Sequence, residues 1–191
     1  MKGPITGTFI DEITYDIPSS NWSQEQWKRD LDHMRQIGID TLIFIRGGFG
    51  DKTIYPSDYF GTKYADDFAG FLLTEASQRG MTVLMGLYIS TINWNGGDAA
   101  REIEYNRHFI DEVWQRYGDM PAFGGWYIPQ ETSHNCLNIT EVMRGLSSLC
   151  KEKAPNLPVM ISPFFHTPIT GGNFTVEQHC QEWDNIFHYC G

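Results

Sequence analysis

Short apolar runs alternate with longer amphipathic stretches along the whole chain, the pattern of βα units around a parallel sheet. The first run, Ile5 to Ile13, ends in Asp11-Glu12. Ser23-Gln24-Glu25-Gln26-Trp27 then opens a helix, with Ser23 as N-cap and Gln26 where a capping box needs it. Trp27, Leu31, Met34 and Ile37 continue at helical spacing until Gly38. A second strand is predicted over Thr41–Ile45, followed by Arg46-Gly47-Gly48, a loop, and a helix near Asp66 to Arg79 that closes on Gly80. The third strand is Thr82 to Tyr88, and a helix over about Ala99 to Tyr117 follows it. The fourth strand is Gly124 to Ile128, with a helix near Thr140 to Lys153 and Pro155 just past it. The fifth strand, Pro158 to Ser162, opens into Pro163-Phe164-Phe165-His166, and Thr175 to Tyr189 reads as a fifth helix.

Five units in this order admit an open doubly wound sheet or an incomplete (β/α)₈ barrel. A doubly wound nucleotide binder shows a glycine-rich phosphate loop after its first strand. Here that strand ends in Asp11-Glu12-Ile13-Thr14-Tyr15, without glycine. The pairs Gly47-Gly48, Gly96-Gly97 and Gly171-Gly172 follow strands but lack G-x-G-x-x-G or Walker spacing. Polar and aromatic residues at successive strand ends favour a barrel mouth. The fold class expected is therefore α/β, a TIM barrel with about five βα units present. A full barrel takes about 250 residues, so residues 1–191 read as one barrel domain lacking roughly its last three units.

Composition narrows the function classes. The net charge of −10 opposes binding to phosphate backbones, so no nucleic-acid partner is expected. No apolar run is long enough to span a bilayer. Met1-Lys2-Gly3-Pro4 leads straight into a strand-like segment, so no signal peptide is visible. A trimmed chain would look the same, and a secreted or periplasmic location stays open. Aromatics make up 14% of the chain, with six Trp and nine Tyr, which suits either sugar stacking or an aromatic-rich core. Cys136, Cys150, Cys180 and Cys190 form no C-x-x-C pair and read as free thiols, with a Cys180–Cys190 link left open. No cofactor and no metal centre are expected, because the His residues make no metal-like pair.

The candidate chemistry starts at Gly125-Trp126-Tyr127-Ile128-Pro129-Gln130-Glu131, where a buried strand delivers a lone carboxylate to its C-terminal end. Parallel α/β enzymes place their chemistry there. Glycoside cleavage needs one carboxylic acid to protonate the leaving oxygen and a second carboxylate as nucleophile or base. Glu131 is the candidate acid/base, with Trp126 and Tyr127 as its apolar surround; a solvated or Arg-paired carboxylate is the plainer alternative. One of Asp11 and Glu12 is expected to face the mouth, where it would bind sugar hydroxyls, act as the second carboxylate, or serve as a turn cap. Arg46 would orient a carboxylate or form a structural ion pair. Tyr88, Trp94 and Phe165 would shape the sugar subsite, and His166 would donate to substrate or be structural. Helical Asp30, Asp32, Asp66, Asp67, Glu102 and Glu104 read as solvated faces.

Three segments carry a resemblance: Gly7-Thr8-Phe9-Ile10-Asp11, Trp27 to Ile43, and the Gly125 to Glu131 motif. Together they resemble an uncharacterised bacterial family of glycoside-hydrolase-like TIM barrels, a domain of unknown function. More broadly they resemble the retaining TIM-barrel glycosidases, whose acid/base is a Glu at the end of strand four, usually preceded by Asn. That resemblance implies that Glu131 is the acid/base and that Gln130, in place of Asn, binds the sugar 2-hydroxyl. It also implies a nucleophile on strand seven, beyond Gly191. The function expected is a carbohydrate-active glycoside hydrolase, the fragment being inactive alone. The alternatives are a non-catalytic carbohydrate-binding barrel and a metal-dependent hydrolase or lyase using His166 with Asp11 or Glu12. Oligomeric state, sugar and linkage are not legible.

Overall fold

The computed structural model describes residues 5–14, 18–60, 66–90, 97–131, 138–163 and 175–190. Its elements in chain order are β1 (Gly7–Ile10), α1 (Gln24–Gln36), β2 (Thr41–Phe44), β3 (Gly48–Phe49), β4 (Lys52–Thr53), α2 (Phe68–Gln78), β5 (Thr82–Gly86), β6 (Tyr88–Ile89), α3 (Ala99–Tyr117), β7 (Phe123–Ile128), α4 (Ile139–Lys153), β8 (Val159–Ile161) and α5 (Val176–Cys190). Helices α1, α2 and α3 start at side-chain caps. Ser23 and Gln26 make the reciprocal capping box, with Gln26 N to Ser23 Oγ at 3.3 Å and Ser23 N to Gln26 Oε1 at 2.9 Å. Asp67, expected on a solvated face, instead caps α2 at Gly70 N and accepts from Tyr117 Oη at 2.6 Å. Asp98 caps α3 at Arg101 N. Ile37, expected at the end of the apolar stripe of α1, is exposed at the helix C-cap.

The main sheet is parallel, in the order β1-β2-β5-β7-β8. Strands therefore neighbour each other in chain order, without the reversal that marks a doubly wound sheet. This is the order of a partial α/β barrel, with β1 and β8 as its edges.

Strand alternation sorts the side chains into two layers. Leu42, Phe44, Val83, Met85, Trp126 and Ile128 join the helices in the large core. Ile43, Leu84 and Tyr127, with Ile45 and Met160, form a second cluster on the opposite face. Phe9 of β1 packs its ring edge-on to Tyr127 of β7 at 5.2 Å. Three strand spacings separate those strands, about 14 Å in a flat sheet. The sheet thus curls about this second face, and Tyr127 lies at its centre. A bulge assists the curl: Val83 pairs with Phe123 but Leu84 with Gly125, and Gly125 takes a φ of 149°.

The expected third strand is split. β5 ends at Gly86, whose missing side chain leaves room for the Phe44 carbonyl. Leu87 N donates to Tyr127 O at 2.9 Å, and β6 then turns to pair with β3 in a small sheet of order β4-β3-β6. Cys150 and Cys180 are free thiols. No helix among the described residues is long and apolar enough to cross a membrane.

Candidate functional site

The second face ends in a polar cluster at the C-terminal ends of β1, β2, β7 and β8. Tyr127 builds its centre. The residue is fully buried, its ring held by Phe9, Ile43 and Leu84, while the hydroxyl reaches the strand ends. Tyr127 Oη donates to Glu131 Oε1 at 3.3 Å and lies 2.6 Å from Ser162 Oγ. Burial pushes the phenol above its ordinary range, opposed by the Ser162 hydrogen bond and the Arg46 charge. The phenol therefore stays protonated at neutral pH. Its single proton goes to Glu131, and Ser162 supplies the proton of the shorter bond.

β7 ends at Ile128, and a tight turn in which Glu131 N donates to Pro129 O at 2.8 Å brings the Glu131 carboxyl back to the Tyr127 hydroxyl. Glu131 is half-buried. Trp126, expected beside it, points the other way and packs against Trp114 and Phe123.

Arg46 enters from the end of β2. Its Nη1 donates to Thr14 Oγ1 at 2.6 Å, and its guanidinium lies 5.2 Å from the Phe49 ring centroid. Among the described residues it makes no ion pair, and its Nε is buried without a hydrogen-bond partner. Asp11 holds a turn: its Oδ1 accepts from the amides of Ile13 and Thr14, both at 3.1 Å. That turn presents Thr14 to Arg46. Glu12 points into the protein and is only 7% exposed. Burial raises its carboxyl to about 7, the Asp11 charge adding to this and the Ser19 side chain opposing it.

Two expected site residues face elsewhere. Tyr88 is buried, stacked on Phe60 at 4.5 Å, with its hydroxyl on the Gly50 carbonyl at 2.7 Å. It is committed to the small sheet. Gln130, past the end of β7, is 1% exposed, and its Nε2 donates to Glu102 Oε1 at 2.9 Å. Glu102 is itself fully buried rather than on a solvated face. The turn past Ile128 sets Glu131 beside Tyr127 and Gln130 against Glu102 of α3. Trp94, Phe165 and His166 lie outside the described residues. Sequence reading passed over Tyr127 Oη, Ser162 and Thr14 as polar groups of the mouth. Period two pointed to the first, and the end of the neighbouring strand to the second. No group of three or more His, Cys, Asp or Glu able to hold a metal occurs among the described residues.

Comparison with known proteins adds the lineage. A family model, described as "Domain of unknown function (DUF4434)", matches residues 5–190. No curated protein matches the chain. Among solved structures, a "putative alpha-L-fucosidase" from Bacteroides thetaiotaomicron is 38% identical, with a TM-score of 0.87 over 98% of this chain. A glycosyl hydrolase family 2 member from Bacteroides cellulosilyticus is 12% identical over 97% of this chain, with a TM-score of 0.59. The beta-galactosidase of Marinomonas ef1 is 14% identical over 84% of it, with a TM-score of 0.60. The last two show a shared fold alone. This chain spans 61%, 20% and 37% of those three proteins. The fold is thus glycosidase-like, as the resemblance of the first-unit and fourth-strand motifs implied.

Proposed function

Because the chain belongs to the DUF4434 family, whose fold here is glycosidase-like, we propose that it forms the acid/base side of a glycoside hydrolase on a TIM barrel. The observation that carries this reading is the placement of Glu131. It stands at the C-terminal end of the fourth parallel strand, on the concave face, with one carboxyl oxygen held by the Tyr127 phenol. In this reading the other oxygen faces the substrate and delivers its proton to the glycosidic oxygen as the carbon–oxygen bond breaks. A second carboxylate attacks the sugar carbon or activates water, and it comes from strands that complete the barrel. Arg46 supplies positive charge near the Tyr127 phenol, held by Thr14 and, through the turn, by Asp11. Trp94, Phe165 and His166 remain the proposed sugar contacts, and residues 1–191 the proposed five units of an eight-unit barrel.

The test is turnover of aryl glycosides by the protein carrying the complete barrel. An aryl α-L-fucoside comes first, given the name of the 38% identical structure. Glu131→Gln should lower kcat about 10²- to 10⁴-fold, the usual contribution of a general acid/base. Unchanged turnover would show that Glu131 is not the acid.

A further inference from the structure

Behind the mouth, Gln130 meets Glu102 of α3 in a site closed to solvent, with Gln130 1% and Glu102 0% exposed. Gln130 Nε2 donates to Glu102 Oε1 at 2.9 Å, and the Ser90 amide donates to the same oxygen at 3.1 Å. Two atoms of this pair are left over. Glu102 Oε2 and Gln130 Oε1 are both buried and both without a hydrogen-bond partner. If Glu102 were ionised, the Ser90 hydroxyl and amide and Gln130 Nε2 would still donate to the carboxylate, but Oε2 and Gln130 Oε1 would remain two unpaired acceptors, which buried polar groups rarely tolerate. They are also the two atoms that complement the bond already made. A proton on Oε2 would turn that atom from an acceptor into the donor that Gln130 Oε1 lacks.

We propose that Glu102 is a neutral acid whose Oε2–H donates to Gln130 Oε1, closing a reciprocal acid–amide ring that positions the strand end carrying Glu131. The positioning role rests on the proposed function of Glu131; the ring does not. Clamping the Gln130 side chain fixes the tight turn past β7, closed by Glu131 N on Pro129 O at 2.8 Å, and so holds the adjoining Glu131 against Tyr127.

The surroundings favour the neutral form. Burial pushes the Glu102 carboxyl up, against the opposing effect of Ser90 and Gln130, which are both uncharged. No described cation pairs with it, and the titratable side chain that feels its charge is the Tyr88 phenol. Asn106, one turn along α3, fastens the helix to β6. Its Nδ2 donates to Tyr88 O and Glu102 O, both at 3.0 Å, and its Oδ1 accepts from Tyr88 N at 3.0 Å.

Isotope-edited infrared spectroscopy tests the ring directly. The Glu12→Gln background removes the other buried carboxyl with a raised pKa. At neutral pH a neutral-acid carbonyl band should be present, and Glu102→Gln should remove the part of it that Glu131→Gln leaves. Glu102→Gln should keep the melting temperature, because its amide donates to Gln130 Oε1 in place of the acid proton. Glu102→Leu should melt lower and, in the complete barrel, lower kcat about tenfold with little change in KM. Absence of the band, or equal loss in the Gln and Leu variants, overturns the ring. A Leu variant with wild-type kcat overturns the positioning role. If band and Gln rescue appear in a protein that cleaves no glycoside, the ring stands and the proposed function falls.

Discussion

Replacing Tyr127 by Phe removes one oxygen and leaves the ring. The ring is fully buried and packed by Phe9, Ile43 and Leu84, so the substitution opens no sizeable cavity and tests the hydroxyl alone. Two hydrogen bonds go with it. The bond from Ser162 is short at 2.6 Å, and the bond to Glu131 is long at 3.3 Å. A net loss of about 1 kcal/mol for each gives about 2 kcal/mol of destabilisation. For a chain of this length, that lowers Tm by about 4–8 °C. Losing orientation of Glu131 worth about 1.4 kcal/mol lowers kcat roughly tenfold. Thermal unfolding by circular dichroism reads the first number, and aryl glycoside turnover by the complete barrel reads the second. An unchanged Tm would refute the bonding scheme. A lowered Tm with unchanged kcat would refute the claim that Tyr127 orients the acid.

Other predictions concern groups outside the concave face. The Glu12 carboxyl is raised from 4.5 to about 7 in the folded protein. It therefore binds its proton more tightly when folded, and its stabilising effect is complete below about pH 4.5 and lost as pH rises through about 7. Urea titrations should show roughly 3 kcal/mol of extra stability at the acid end at most, and Glu12→Gln should flatten that slope; an unchanged slope would contradict the burial. Glu112 of α3 fastens the loop after β4. Its Oε2 accepts from Tyr55 Oη at 3.0 Å and Ser57 Oγ at 2.6 Å, and its Oε1 accepts from the amides of Asp58 at 2.8 Å and Tyr59 at 3.1 Å. Glu112→Ala should cost about 3 kcal/mol and raise amide exchange at Asp58 and Tyr59, and retained protection there would show that the carboxylate does not hold the loop.

The chain by itself determined what depends on near neighbours. The capping box at Ser23, the helix starts, the run of five parallel strands and the absence of a phosphate loop were legible because each is set by residues a few positions apart. The place of Glu131 just past an apolar strand was legible too, but the facing of Gln130 was set by the turn after Ile128 and by its contact with Glu102. Tertiary structure decided the rest. Glu102 carries a charged residue's letter at a helical position, and no local pattern shows that α3 is rotated to bury it against Gln130, 28 residues away. The same holds for Glu112, which reaches donors more than fifty residues earlier. The split of the third strand likewise shows only in the partners it meets, β2 and β7 before Leu87 and β3 after it. Periodicity tells a residue which side of its own element it occupies. What lies opposite is set by how helices cross the curled sheet, a non-local packing outcome in which the hydrogen-bonding partners meet only once the whole core has closed.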